Sequence, residues 1–92
     1  MNYRTVGKTG IKVSNLCFGT MSFGGNADEE TSKKMFSRSR EAGINFFDTA
    51  NVYSQGRSEE ILGECINDCR DEIVLSTKVF YPMGQDVNAG GL

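Results

Sequence analysis

Two short apolar segments, with helical character between them, constrain the fold of this chain most. Residues 44–47 (INFF) form the first segment and residues 73–77 (IVLST) form the second. Near-continuous apolar runs of this length are typical of parallel strands whose two faces are both buried. The pattern therefore predicts a strand–helix–strand unit of an α/β protein with a parallel sheet.

The same alternation extends toward the beginning of the chain. Residues 1–14 predict a β-hairpin, because two β-type segments flank a turn that contains two glycines. Residues 15–18 predict a strand, and residues 28–42 predict a helix with acidic residues in its first turn and basic residues in its last. Ser58 is predicted to cap a second helix. After the hairpin, residues 15–92 thus hold about three strands and two helices.

Three polar residues follow the apolar segments and form a candidate catalytic group. Asp48 and Lys78 are predicted at the carboxyl ends of parallel strands, and Tyr53 lies on the loop after Asp48. Free tyrosine has a pKa of about 10 and is a weak acid at neutral pH. A nearby ammonium favours the phenolate and is expected to lower that pKa, while a carboxylate holds the ammonium in place. Each residue alone is ordinary, but together they suggest a proton donor for carbonyl reduction.

The segments that carry these residues resemble the aldo-keto reductase family. Residues 45–53 are similar to its Asp-Thr-Ala-x-x-Tyr signature, and residues 76–78 are similar to its Thr-Lys motif. Three further segments agree, namely residues 7–14, 16–21 and 56–63. Five motifs in the right order, over nearly the whole chain, are far more specific than any one of them.

The resemblance implies a (β/α)8 barrel that transfers hydride from NADPH to aldehydes and ketones, with Asp48, Tyr53 and Lys78 as catalytic residues. Such a barrel needs roughly 250 residues, so the 92 residues here are expected to be the N-terminal part of a single barrel domain, with the hairpin before it. The fourth catalytic residue of the family is a histidine, and this chain contains none. We therefore expect the chain alone to be inactive.

A glycine-rich loop after the first predicted barrel strand is a second candidate site. On spacing alone, residues 19–25 are more typical of a flexible connection, and they do not form the Gly-x-Gly-x-x-Gly dinucleotide motif. The resemblance instead implies that this loop lies at the nicotinamide end of NADPH. The implied cofactor-binding residues are Gly19, Thr20, Met21, Asn26 and Asp48. The choice between NADP and NAD stays open, as does the substrate.

Composition and charge narrow the class of protein. The net charge is −2, which gives no basis for binding nucleic acid or an anionic membrane. No secretory signal and no long apolar run is present, so a cytoplasmic protein without membrane insertion is expected. The cysteines are odd in number and lack histidine partners, which predicts reduced thiols and no metal site. Cys65 and Cys69 are predicted to share one apolar helix face.

Alternatives to a reductase of small carbonyl substrates remain at this stage. Residues 45–53 and 77–80 also resemble the β subunits of voltage-gated potassium channels, which would make the protein an NADPH-binding regulatory subunit with a channel partner. A truncated, inert product is the third interpretation. The oligomeric state stays open, with an oligomer or a complex with a channel among the alternatives. Phe23, Phe80 and Tyr81 follow strand ends, and they are as consistent with loop packing as with the apolar walls of a substrate site.

Overall fold

The computed structural model describes residues 1–91, in which five short strands and two helices follow the predicted order. Every strand has three residues, so the strands at residues 46–48 and 74–76 are shorter than the apolar segments that predicted them. In chain order the elements are β1 (Tyr3–Thr5), β2 (Lys12–Ser14), β3 (Cys17–Gly19), α1 (Glu29–Glu41), β4 (Phe46–Asp48), α2 (Arg57–Ile66) and β5 (Val74–Ser76). Two 3₁₀ turns, Tyr53–Gly56 and Arg70–Glu72, flank α2.

The predicted hairpin is confirmed. Strands β1 and β2 are antiparallel, and Gly7 and Gly10 in the turn between them have positive φ angles of 53° and 80°. The hairpin attaches to the amino end of β4. There the Asn45 side-chain oxygen accepts a hydrogen bond from the Ser14 amide at 2.7 Å, and the Tyr3 hydroxyl donates to the Gly43 carbonyl at 2.7 Å.

The other three strands form one parallel sheet in the order β3-β4-β5. Gly19, Asp48 and Ser76 lie side by side in the register, so the three strands end at the same level. Because β3–α1–β4 and β4–α2–β5 are successive strand–helix–strand units, the predicted parallel α/β arrangement is confirmed. The carboxyl ends of the strands form a single rim.

Helix α1 begins and ends close to its predicted limits. The Asp28 side chain accepts a hydrogen bond from the Thr31 amide at 2.8 Å, which caps the helix. The same bond lowers the pKa of Asp28, because it stabilises the carboxylate. Beyond the last turn, Gly43 adopts a φ of 94°, the left-handed conformation that commonly ends helices.

The prediction that Ser58 caps α2 is wrong. The residue at the cap position is Gly56, whose φ is 95°, and Ser58 lies inside the first turn. Ser58 is fully buried, and its hydroxyl donates to the Thr20 carbonyl at 2.6 Å. The sequence pattern predicts that the Ser58 side chain caps its own helix. Instead it forms a tertiary hydrogen bond to the strand end that precedes α1.

The core lies between the sheet and the two helices. Phe47, on the central strand, is fully buried, and its ring centroid lies 5.0 Å from that of Phe36 on α1. Helix α2 contributes an apolar stripe to the same core. The buried cluster consists of Phe23, Phe36, Phe47, Ile61, Leu62, Ile66 and Ile73.

Cys65 and Cys69 pack against this cluster as half-buried side chains. Their predicted apolar packing is confirmed, but α2 ends at Ile66, so Cys69 does not share its face. Burial raises the pKa of the Cys65 thiol.

Within residues 1–91, no three histidine, cysteine or acidic residues lie where they could hold a metal ion together. Neither helix in that range has the length and apolar character needed to cross a membrane.

Candidate active site

Asp48 and Lys78 meet at the rim formed by the ends of β4 and β5. The Lys78 ammonium donates a hydrogen bond to Asp48 Oδ2 at 2.6 Å and a second to the Thr49 carbonyl at 2.8 Å. Asp48 pairs with Ser76 in the register, and Lys78 is two residues beyond Ser76. Since alternate residues of an extended chain point to the same side, Lys78 is directed toward Asp48.

The electrostatics of this pair follow from its exposure. Side-chain exposure is 48% for Lys78 and 33% for Asp48, so water screens their attraction. The hydrogen bond to Asp48 is the main cause of a raised pKa of Lys78, and Tyr53 contributes in the same direction. Exposed ion pairs stabilise a fold very little. The pair therefore fixes the position of a cation at the rim more than it holds the protein together.

Tyr53 lies beside that cation. The Lys78 Nζ atom is 5.0 Å from the centroid of the Tyr53 ring, within the range of a cation–π contact. The chain reverses immediately after Tyr53, where Ser54 and Gln55 adopt positive φ angles of 50° and 58°. Left-handed backbone at non-glycine residues costs energy and commonly occurs at functional sites. The three predicted catalytic side chains thus converge, while their catalytic roles stay predictions.

The predicted cofactor loop borders the same rim. Gly19 lies beside Asp48 in the register, and a Cβ atom added to Gly19 would meet no atom within 4 Å. Met21 is 70% exposed and faces the space next to Tyr53 and Lys78. Thr20 is different, because its side chain is fully buried and its hydroxyl donates to the Asp48 carbonyl at 3.1 Å.

Asn26 and Phe23 lie away from the trio. Asn26 is exposed in the turn between Phe23 and Ala27 and is not among the residues around the cavity described next. Phe23 is fully buried in the core, with its ring centroid 6.0 Å from that of Phe18. Of the two interpretations left open for Phe23, the structure supports packing and not a wall of the substrate site. The bridge between Phe23 and Ala27 turns the loop back on itself, and the Phe23 ring packs in the core with residues of α1 and α2.

A largely apolar cavity of about 460 Å³ opens beside the trio, a size typical of small-molecule sites. Phe80 and Tyr81 form one side, with their rings edge to face at 5.4 Å. The side-chain oxygen of Asn51 is buried and has no hydrogen-bond partner among residues 1–91. The residues around the cavity are Met21, Ala50, Asn51, Val52, Tyr53, Ser54, Lys78, Phe80 and Tyr81.

Two contacts behind the rim are absent from the sequence-based prediction. Ser58 holds Thr20, and Glu59 accepts a hydrogen bond from the Thr77 hydroxyl at 2.6 Å. Both residues lie in the segment 56–63 that was recognised as a motif. The motif indicated that these residues matter. The preference of serine for helix caps, however, predicted a bond from Ser58 to its own helix and not to the sheet.

The sequence and the structure together place this chain in a family. A sequence model described as the Aldo/keto reductase family matches residues 15–91. This chain belongs to the aldo/keto reductase family. Its described residues have the fold of the N-terminal portion of a (β/α)8 barrel preceded by a hairpin, as the sequence predicted.

Particular relatives refine the comparison. The chain is 42% identical to a probable voltage-gated potassium channel subunit beta of Oryza sativa and 41% identical to an uncharacterized oxidoreductase of Bacillus subtilis. The alignments cover 100% and 98% of this chain but only 29% of each relative. The holo form of an aldo-keto reductase from Bacillus halodurans superimposes with a TM-score of 0.80 at 35% identity, over 94% of this chain and 29% of that protein. The chain thus spans under a third of the length of these relatives.

Proposed function

We propose that the protein carrying this chain reduces aldehydes or ketones with NADPH. The observation that supports this most is the convergence of Asp48, Tyr53 and Lys78 at one rim, next to an apolar cavity. The chain supplies a proton donor, a cation beside it and a carboxylate that orients the cation. Segments beyond these 92 residues would complete the barrel and provide the histidine that this chain lacks.

Each residue of the trio has a distinct role in this proposal. Tyr53 donates its phenolic proton to the alkoxide oxygen that forms when the carbonyl carbon gains a hydride, acting as general acid. Lys78 stabilises the resulting phenolate through its positive charge. Asp48 accepts the hydrogen bond that keeps the ammonium in place. General acid catalysis of this kind is worth roughly 10²–10⁴-fold in rate.

The geometry of the rim fits a flat cofactor ring. The missing side chain at Gly19 leaves open space level with Asp48, and exposed Met21 borders the cavity. NADPH bound there would supply the hydride and would leave as NADP⁺, with a positive charge on its nicotinamide ring. We assign its nicotinamide end to Gly19, Thr20, Met21 and Asp48, whereas Asn26, which does not line the cavity, stays a prediction from the family resemblance. Thr20 would shape this site by holding the end of β3 in place, since its hydroxyl and its backbone amide both donate to the Asp48 carbonyl.

Replacing Tyr53 tests the reductase proposal. In the full-length protein, Tyr53→Phe should lower kcat for aldehyde reduction by about 10²–10⁴-fold, with the affinity for NADPH nearly unchanged by fluorescence titration. Tyr81→Phe is the matched control, because it removes a second phenol from the same cavity and should leave turnover largely intact. Unchanged turnover in Tyr53→Phe would refute the role of Tyr53.

A regulatory subunit is the second candidate, and the rice relative favours it. In that case the site would bind NADPH while the main task is to bind a potassium channel. A pull-down with cytoplasmic domains of channels from the same organism separates the two functions.

The third candidate is an inert chain. Adding NADPH to the 92 residues alone and finding no fluorescence enhancement would support it.

A further inference from the structure

We propose that the first turn of α2 clamps the carboxyl ends of all three parallel strands, with Ser58 and Glu59 as positioning residues for the Asp48–Lys78 pair. This inference rests on the proposed function for its catalytic meaning. Ser58 and Glu59 are consecutive in the sequence, yet between them they contact the chain just beyond β3, β4 and β5. We call these two residues, with Thr20, Thr49 and Thr77 that they contact, the clamp.

Ser58 ties β3 to β4. Its fully buried hydroxyl donates to the Thr20 carbonyl at 2.6 Å, and its oxygen lies 3.0 Å from Thr20 Oγ1 and 3.2 Å from Thr49 Oγ1. Thr20 is the first residue after β3, and Thr49 is the first after β4. A single side chain therefore spans the gap between two strand ends.

The chain of contacts continues from Thr20 to Asp48. The Thr20 amide donates to the Asp48 carbonyl at 3.0 Å, and the Thr20 hydroxyl lies 3.1 Å from the same oxygen. Since Asp48 holds the Lys78 ammonium at 2.6 Å, one chain of contacts runs from Ser58 to that ammonium. A shift of Thr20 would move the backbone from which the carboxylate projects.

Glu59 secures the third strand. Its Oε2 atom accepts a hydrogen bond of 2.6 Å from Thr77, the residue directly before Lys78. A hydroxyl that donates to a carboxylate forms a short, charge-assisted bond. The register extends past β5, because the Asn51 amide donates to the Lys78 carbonyl at 3.1 Å. The Lys78 backbone is thus held by Asn51, in the segment that follows β4, and its neighbour Thr77 is held by Glu59 of α2.

Substitutions in the clamp should weaken catalysis without touching the reacting groups. We expect Ser58→Ala and Glu59→Ala to lower kcat by about 10–100-fold in the full-length protein, since a displacement near 1 Å can cost on the order of 10²-fold. KM for NADPH should change less. Glu59→Gln keeps an oxygen that can accept from Thr77 and should restore most of the kcat lost in Glu59→Ala.

A second measurement follows the position of Lys78 without needing turnover. The carbon-13 resonance of Lys78 Cε, titrated with pH, reports how closely Asp48 holds the ammonium. Loosening of the clamp should move the Lys78 midpoint down toward its ordinary pKa of 10.5. Because Glu59 is only half-buried, its variants decide the question even where Ser58→Ala does not fold.

Ser39→Ala is the matched control. Ser39 is also a buried serine whose hydroxyl donates to a backbone carbonyl, that of Met35 at 2.8 Å, but it lies on α1. It should lose stability and keep both kcat and the Lys78 midpoint. An unchanged Lys78 midpoint in both Ser58→Ala and Glu59→Ala overturns the clamp. A shifted midpoint in a protein that reduces no carbonyl compound supports the clamp and refutes only the proposed function.

Discussion

Two polar clusters lie at the same rim and differ in almost every physical property. The charged pair, Asp48 and Lys78, is partly exposed and joined by one bond of 2.6 Å. The hydroxyl cluster, Thr20, Thr49 and Ser58, is buried and neutral, and the two threonine hydroxyl oxygens lie 3.0 Å and 3.2 Å from the Ser58 oxygen. One cluster faces the cavity and the other faces the core.

The difference separates two tasks, stabilising the fold and presenting charge to a ligand. Buried hydroxyls that are hydrogen-bonded add to stability, since an unpaired buried polar group is costly. An exposed ion pair adds little, but its charge remains available to a ligand. We therefore expect substitutions in the charged pair to lower turnover with little loss of stability, and substitutions in the hydroxyl cluster to lower stability as well as turnover.

The largest expected effect separates the clusters by activity. Lys78→Met in the full-length protein should lower kcat by about 10²–10⁴-fold, because the phenolate of Tyr53 loses the cation beside it. The thermal midpoint should hardly move. Lys34→Met, which removes an exposed lysine paired with Glu30 on α1, is the control and should keep full activity. Equal activity of the two variants would contradict the assignment of Lys78.

The next effect separates the clusters by stability. Ser58→Ala should lower the free energy of unfolding by about 1–3 kcal/mol, because the Thr20 carbonyl loses a buried hydroxyl donor and the Thr49 hydroxyl loses a buried partner. Urea denaturation of this variant measures the change against Ser37→Ala, an exposed serine on α1. A loss no greater than that of Ser37→Ala would show that the hydroxyl cluster is not a stabilising element.

The smallest effect concerns pH. The pKa of Lys78 is raised above its ordinary 10.5 in the folded protein, with the hydrogen bond to Asp48 as the main cause. Its contribution to stability is therefore fully present below pH 10.5 and is lost as the pH rises through the higher folded value. Thermal melts between pH 9 and about 12 should show a slight extra destabilisation that Asp48→Asn abolishes. The same slope in both proteins would exclude the pair as its source.

Much of the fold could be predicted from the sequence, because the preferences of neighbouring residues agree with the tertiary contacts that form. The apolar run that ends in Phe47 predicted the central strand, which has the most buried face of the sheet. Asp28 and Gly43 marked the ends of α1 because capping depends on residues close in sequence. The placement of Asp48 and Lys78 followed from the parallel register alone.

The failures occurred where a distant contact overrode a local preference. Ser58 favours a helix cap, yet a carbonyl 38 residues away in sequence takes its hydroxyl. Phe23 and Phe80 both follow strand ends and were left open between core packing and a cavity wall, and the bridge to Ala27 buries the Phe23 ring while Phe80 stays exposed. The inward direction of Thr20 could not be predicted because, as for Ser58, its partners are distant in sequence. Its partners are known only once β4 and α2 are in place.

The attachment of the hairpin to the amino end of β4 has a practical consequence for measuring this protein. Lys8 is exposed in the hairpin turn, and the hairpin bonds to Gly43 and Asn45 at the opposite end of β4 from Asp48. A biotin or a dye coupled at that lysine would orient every immobilised molecule with its cavity toward the solution. Binding of NADPH, of carbonyl compounds or of a channel domain can then be recorded on one sensor surface.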